Sequence, residues 1–79
     1  MIRLTLYHTA DCHLCEEAEA LATAYLASRG LSPAVLEKKE IAEDQALLER
    51  YGVSIPVLRE EESGSELNWP FGLEDIRAL

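Results

Sequence analysis

Basic residues are scarce in this chain. Seven Lys and Arg stand against fifteen Asp and Glu, for a formal net charge of −8. Nucleic acid and anionic membrane surfaces both need a cationic footprint, so neither is an expected partner. Long apolar runs are also missing, and none approaches the roughly 20 residues that span a bilayer. Met1 to Tyr7 is apolar, but no basic leader or small-residue cleavage site accompanies it, so a cytoplasmic protein is expected. Cysteines number two, too few for a disulfide framework. What remains is 79 residues, 48% hydrophobic and 28% charged. That suits one soluble domain over residues 1–79, expected to be a monomer. The acidic residues fall in Glu16 to Glu19, Glu37 to Asp44 and Glu60 to Glu66, and read as solvated faces and turns.

No linker, repeat or low-complexity segment interrupts the chain. In Ile2 to Tyr7, Ile2, Leu4 and Leu6 alternate with Arg3, Thr5 and Tyr7, which predicts a strand. From His13 the spacing changes. Leu14, Ala18, Leu21, Ala22, Tyr25 and Leu26 recur at helical intervals, with Gly30 as the stop. Ala34 to Ile41 reads as a second strand, although Glu37 to Glu40 is too charged for a central parallel one. Asp44 caps a short helix to Tyr51, with Leu47, Leu48 and Tyr51 inward and Gly52 at its end. Val53 to Leu58 turns into a strand, Glu60 to Ser65 is a hairpin turn, and Glu66 to Trp69 is its partner strand. Pro70 stops that strand, and Gly72 to Leu79 is a last helix. The order β-α-β-α-β-β-α implies an α/β fold with a mixed four-stranded sheet flanked by helices.

The chemistry lies in Cys12-His13-Leu14-Cys15, where the first strand meets the first helix. A sulfur at a helix N-terminus sits beside unpaired N–H groups and the positive end of the helix dipole. Both favour the thiolate, the nucleophile of disulfide exchange. Asp11 opposes this and a protonated His13 supports it, and the net expectation is a Cys12 pKa below the free value of roughly 8.5. Cys15, one turn inside the helix, shares a face with Ala18, Ala22 and Leu26 and should be buried. Cys12 is therefore the expected nucleophile and Cys15 the resolving thiol. Asp11 reads equally as a cap or turn former, and His13 as a solvent-facing residue. Ser54-Ile55-Pro56 places a proline at a strand start, where an ordinary trans bond is the default.

These residues resemble a known family. Thr9-x-x-Cys12-x-x-Cys15-Glu16 after an apolar strand, Tyr51-Gly52-Val53 before Ile55-Pro56-Val57-Leu58, and the closing Trp69-Pro70-Phe71-Gly72 are similar to the glutaredoxin-like family of thioredoxin-fold proteins. The resemblance covers essentially the whole chain. It implies a thioredoxin-like fold, a cis Pro56, and thiol–disulfide exchange at Cys12 and Cys15. It also implies substrate contacts at Ile55, Pro56, His13 and Gly72, no bound cofactor, glutathione as a co-substrate, and a disulfide-containing partner with a separate reductant. The chain departs from the family pattern between the cysteines, where His13 and Leu14 replace a proline and an aromatic residue. No basic residue stands just before the motif, and the late Gly-Gly pair is absent. Gly72 with Glu74 and Asp75 would form part of an equivalent helix-terminus site, and Arg59 would meet a carboxylate or stay solvated. Tyr7 and Trp69 are candidate substrate platforms, with packing under the last helix as the alternative for Trp69.

Other readings remain open. Cys12 and Cys15 with His8 or His13 would suit zinc, although His13 lies between the cysteines where it chelates poorly. Two chains would together supply a four-thiolate iron–sulfur site. A non-catalytic interaction module would keep the fold without turnover.

Overall fold

A computed structural model of the chain describes residues 2–79. The first strand, β1 (Leu4–His8), runs into α1 (His13–Ser28). A 3-10 turn at Pro33–Val35 leads to β2 (Leu36–Glu40), and another at Ile41–Glu43 leads to α2 (Gln45–Tyr51). The hairpin β3 (Val57–Glu60) and β4 (Glu66–Asn68) follows, then α3 (Leu73–Arg77).

The four strands form one sheet in the order β2-β1-β3-β4. β1 runs parallel to β2, with Leu4 opposite Leu36 and His8 opposite Glu40. It runs antiparallel to β3, with Tyr7 opposite Val57. β3 and β4 pair antiparallel, with Leu58 opposite Leu67. β2 is thus an edge strand, which explains how Leu-Glu-Lys-Lys-Glu can be one: its charges reach water.

One sheet face is apolar. Leu4, Leu6 and Leu58 pack there with Ala18, Ala22, Tyr25 and Leu26 of α1 and Ile76 of α3. The small alanines let α1 approach the strands closely. The opposite face carries a smaller cluster of Tyr7, Ile41, Tyr51 and Val57 under α2. Both faces of β1 are therefore covered. The alternation in Ile2 to Tyr7 predicts outward Thr5 and Tyr7, but both are buried, Tyr7 at 8% exposure. Tyr7 stacks on Tyr51 at 4.2 Å between ring centroids, so it is core rather than a substrate platform.

Caps set the helix limits. Cys12 is the N-cap of α1, and Gly30 beyond its end has φ 69°, a backbone state that costs glycine little. Asp44 accepts from the N–H groups of Ala46 and Leu47 at the start of α2. Leu48 is not inward as expected, since 42% of its surface is exposed on this two-turn helix. Gly72 caps α3, its N–H donating to the Asp75 carboxylate at 2.8 Å. That helix is shorter than the expected Gly72 to Leu79. In the hairpin turn, Glu60 accepts from the N–H groups of Glu62 and Ser63. These two N–H donors hold its carboxyl below the ordinary carboxylate value against the pull of desolvation. The turn acid is thus a structural brace and not a solvated charge.

Among the described residues, no helix is long and apolar enough to cross a membrane.

Candidate active site

β1 delivers the chain to the site at its C-terminal end. Thr9 and Ala10 lead to Asp11, which has φ 57°. That is the left-handed region, where Asp is among the few side chains tolerated. Asp11 is thus a turn former, and the cap position passes to Cys12. Cys12 is in extended backbone at the helix entry, and its Sγ accepts from the Cys15 N–H at 3.1 Å. The two cysteines are joined by a disulfide, with Cα atoms 5.2 Å apart. Their environments differ: Cys12 is half-exposed, whereas Cys15 is 4% exposed.

A groove of about 210 Å³ opens beside the pair, lined by His8, Thr9, Ala10, Asp11, Glu16, Glu19 and Lys38 as well as both cysteines. Lys38 comes from β2 and lies 3.2 Å from the Glu19 carboxylate. His13 points away into solvent, 87% exposed, with Nε2 3.6 Å from Glu17. It does not line the groove, and nor do Ile55, Pro56 or Gly72. Pro56 is fully buried at the entry to β3. The Tyr7–Val57 register sets it at the same end of the sheet as the cysteine loop. The Ile55–Pro56 bond is cis, as is Trp69–Pro70. The Ile55 N–H is committed to the Tyr51 carbonyl at 3.1 Å. Trp69 packs edge-on against Phe71 at 5.1 Å, next to the apolar cluster under α3. Arg59 is neither solvated nor free, because its guanidinium lies 3.1 Å from Glu66 and 3.4 Å from Glu61.

One residue of the site escapes a reading of the sequence. Glu40, at the end of β2, accepts from the Ala10 N–H at 3.0 Å and from the Ala42 N–H at 3.3 Å. Desolvation works to raise its pKa, but donors from Ala42, Thr9 and Ala10 outweigh it and the net shift is downward. This carboxylate ties the loop before Cys12 to the neighbouring strand. Its sequence signal was the charged run Glu37 to Glu40, and only the parallel register shows which of those charges meets the loop.

Among the described residues, no group of three or more His, Cys, Asp or Glu side chains is placed to hold a metal ion. His8 and His13 do not join the cysteines in such a set.

A mixed sheet with a C-x-x-C at the junction of its first strand and first helix, and an X-Pro opening the third strand at the same end of the sheet, defines a thioredoxin-like fold. The pattern of the Glutaredoxin-like domain (DUF836) matches residues 3–79, and the chain belongs to that family. Two solved structures are similar. One is the X-ray structure of Northeast Structural Genomics target protein XcR50 from X. campestris, 41% identical, with TM-score 0.70, over 95% of this chain and 91% of that one. The other is the solution structure of the XcR50 target, 40% identical, with TM-score 0.70, over 96% of this chain and 88% of that one. Comparison with curated proteins gives no match.

Proposed function

We propose that the chain is a thiol–disulfide oxidoreductase, with Cys12 as attacking thiol and Cys15 as resolving thiol. The observation that supports this most is the unequal placement of a bonded pair: Cys12 half-exposed at the helix entry, Cys15 buried one turn in. In the reduced protein the Cys12 thiolate attacks a substrate disulfide. One S–S bond forms, and the first substrate thiolate leaves and takes a proton from water. The Cys15 thiolate then attacks Cys12 Sγ, closes the internal disulfide and releases the second thiol. A separate dithiol reductant returns the pair to its starting state. The Cys15 N–H that meets Cys12 Sγ at 3.1 Å would strengthen when that sulfur is charged. Because the Ile55 N–H is occupied, its carbonyl is the group left to pair with an extended substrate at Pro56.

The test is a titration of the purified protein in a glutathione redox buffer, with Cys12→Ser and Cys15→Ser alongside. Expected are a reversible internal disulfide, one thiol that reacts below the free-thiol range, and a mixed disulfide trapped at Cys12 in Cys15→Ser. Two sluggish thiols with ordinary titration would sink the proposal.

A further inference from the structure

We infer that the dithiol site is selective for disulfides that carry positive charge close to the sulfur, an ammonium or guanidinium rather than a carboxylate. This rests on the exchange reading above and adds the substrate class.

The argument begins with which charges at the groove are already occupied. His8 and Lys38 are the basic side chains of its lining; His8 lies opposite Glu40 in the β1–β2 register, and Lys38 Nζ is 3.2 Å from Glu19. That pair leaves little net field. Asp11 and Glu16 remain, both exposed and each adjacent in sequence to one of the cysteines. Asp11 is carried by the left-handed turn directly before Cys12. Behind the loop stands the Glu40 carboxylate, 3.0 Å from the Ala10 N–H. His13, outside the groove, faces Glu17 at 3.6 Å. An arriving anion therefore meets carboxylates without a free Lys or Arg, within a chain of net charge −8. Charge of one sign around a cleft changes encounter rates by about tenfold or more at low ionic strength.

Size points the same way. A groove of about 210 Å³ is smaller than the roughly 300 Å³ at which pockets begin to enclose drug-sized ligands. It suits a short aminothiol arm or a single basic side chain beside the scissile bond. Oxidised glutathione is bulkier and has more carboxylates than ammonium groups.

The experiment uses the reduced full chain and follows formation of the Cys12–Cys15 disulfide by quenched thiol labelling and mass spectrometry. The probes are cystamine, bis(2-hydroxyethyl) disulfide and oxidised glutathione, with Lys-flanked and Glu-flanked peptide disulfides to separate small from peptide substrates. Each rate is divided by the rate of uncharged dithiothreitol with the same disulfide, which removes differences in leaving thiol. At low salt the normalised rate should be about tenfold higher for cystamine than for oxidised glutathione, with the neutral disulfide between. About 0.5 M salt should compress that ratio to about twofold. Asp11→Asn with Glu16→Gln should lower it by about threefold, and Asn keeps the left-handed turn. Equal or reversed rates, or a ratio indifferent to salt and to both substitutions, would overturn the charge preference and leave exchange standing. Failure of all the disulfides to oxidise the pair would overturn both.

Discussion

The two faces of the sheet are built on different principles. Under α1 and α3 the contacts are apolar, with Leu4, Leu6, Leu58 and Ile76 sealed from solvent. On the other face helix covers only the site end, where α2 sets Tyr51 over Tyr7 and Val57. Beyond α2 a polar chain takes over. The Thr5 hydroxyl donates to Glu61 at 2.6 Å, Arg59 bridges Glu61 and Glu66, and the Tyr51 hydroxyl donates to Glu66. Apolar burial is non-directional and scales with area. The polar chain depends on each partner's position and on its charge. A sheet with too little helix to cover both faces thus uses hydrophobic packing on one and paired charge on the other.

Neighbouring residues of β1 allow that contrast to be tested directly. Leu6 is fully buried on the apolar face. Leu6→Ala should cost about 3 kcal/mol at any pH in the stable range, since a cavity has no titratable partner. At roughly 0.1 kcal/mol per residue of total stability, that is a large share for so short a chain. Chemical denaturation at pH 5 and pH 8 should give the same loss. Thr5 is also buried, but its hydroxyl serves Glu61 on the polar face. Thr5→Val should cost about 2 kcal/mol near neutrality, the worth of a hydrogen bond to a charged group. The Thr5 hydroxyl, against opposing desolvation and with help from Arg59, holds the Glu61 carboxyl below its ordinary value. A carboxyl with a lowered folded pKa stabilises above the unfolded value of about 4.3, and that stability fades as pH falls through the folded one. The Thr5→Val loss should therefore shrink in acid. A loss constant from pH 7 to pH 3 would show that packing, not the charged bond, accounts for Thr5.

The same contrast explains what could be read in advance. The order of elements, the Asp44 cap, the Ser63-Gly64 turn and the cysteine pair at the start of α1 all depend on local spacing, and local spacing is visible in sequence. The apolar face was visible as well, because Leu4, Leu6, Ala18, Ala22 and Leu26 announce themselves by period. Strand order was not. Whether β2 lies at an edge depends on pairing between residues some thirty apart, such as His8 with Glu40. The same long-range register decides which charges are solvated. Glu60, Glu61 and Glu66 read as a surface run, yet each has a specific partner. Tyr7 and Thr5 read as outward because alternation identifies two faces without saying that both are covered. At the site, the cysteines were legible and Glu40 was not, for the same reason.

The smallest expected effect lies where the two regimes meet, at Tyr51. Its ring belongs to the apolar cluster beneath α2, and its hydroxyl belongs to the polar chain through Glu66. Burial of the ring, then the hydrogen bond and negative charge of Glu66, push its pKa up to about 12 from an ordinary 10.0. The sign follows from linkage. Below about pH 10 the phenol is neutral in both states and its contribution is complete. Between about 10 and 12 the unfolded chain ionises first, so stability falls as pH rises. At pH 11 the loss attributable to this group is about 1 kcal/mol. Tyr51→Phe should be less stable than the parent at pH 7 by about 1 kcal/mol for the missing bond to Glu66, less than at Thr5 because Glu66 keeps Arg59 as a partner at 3.1 Å. It should then lose less than the parent as pH rises to 11, so the two denaturation midpoints converge. Parallel curves across that window would mean that Glu66 does not govern the phenol, and that α2 sits on the sheet by apolar packing alone.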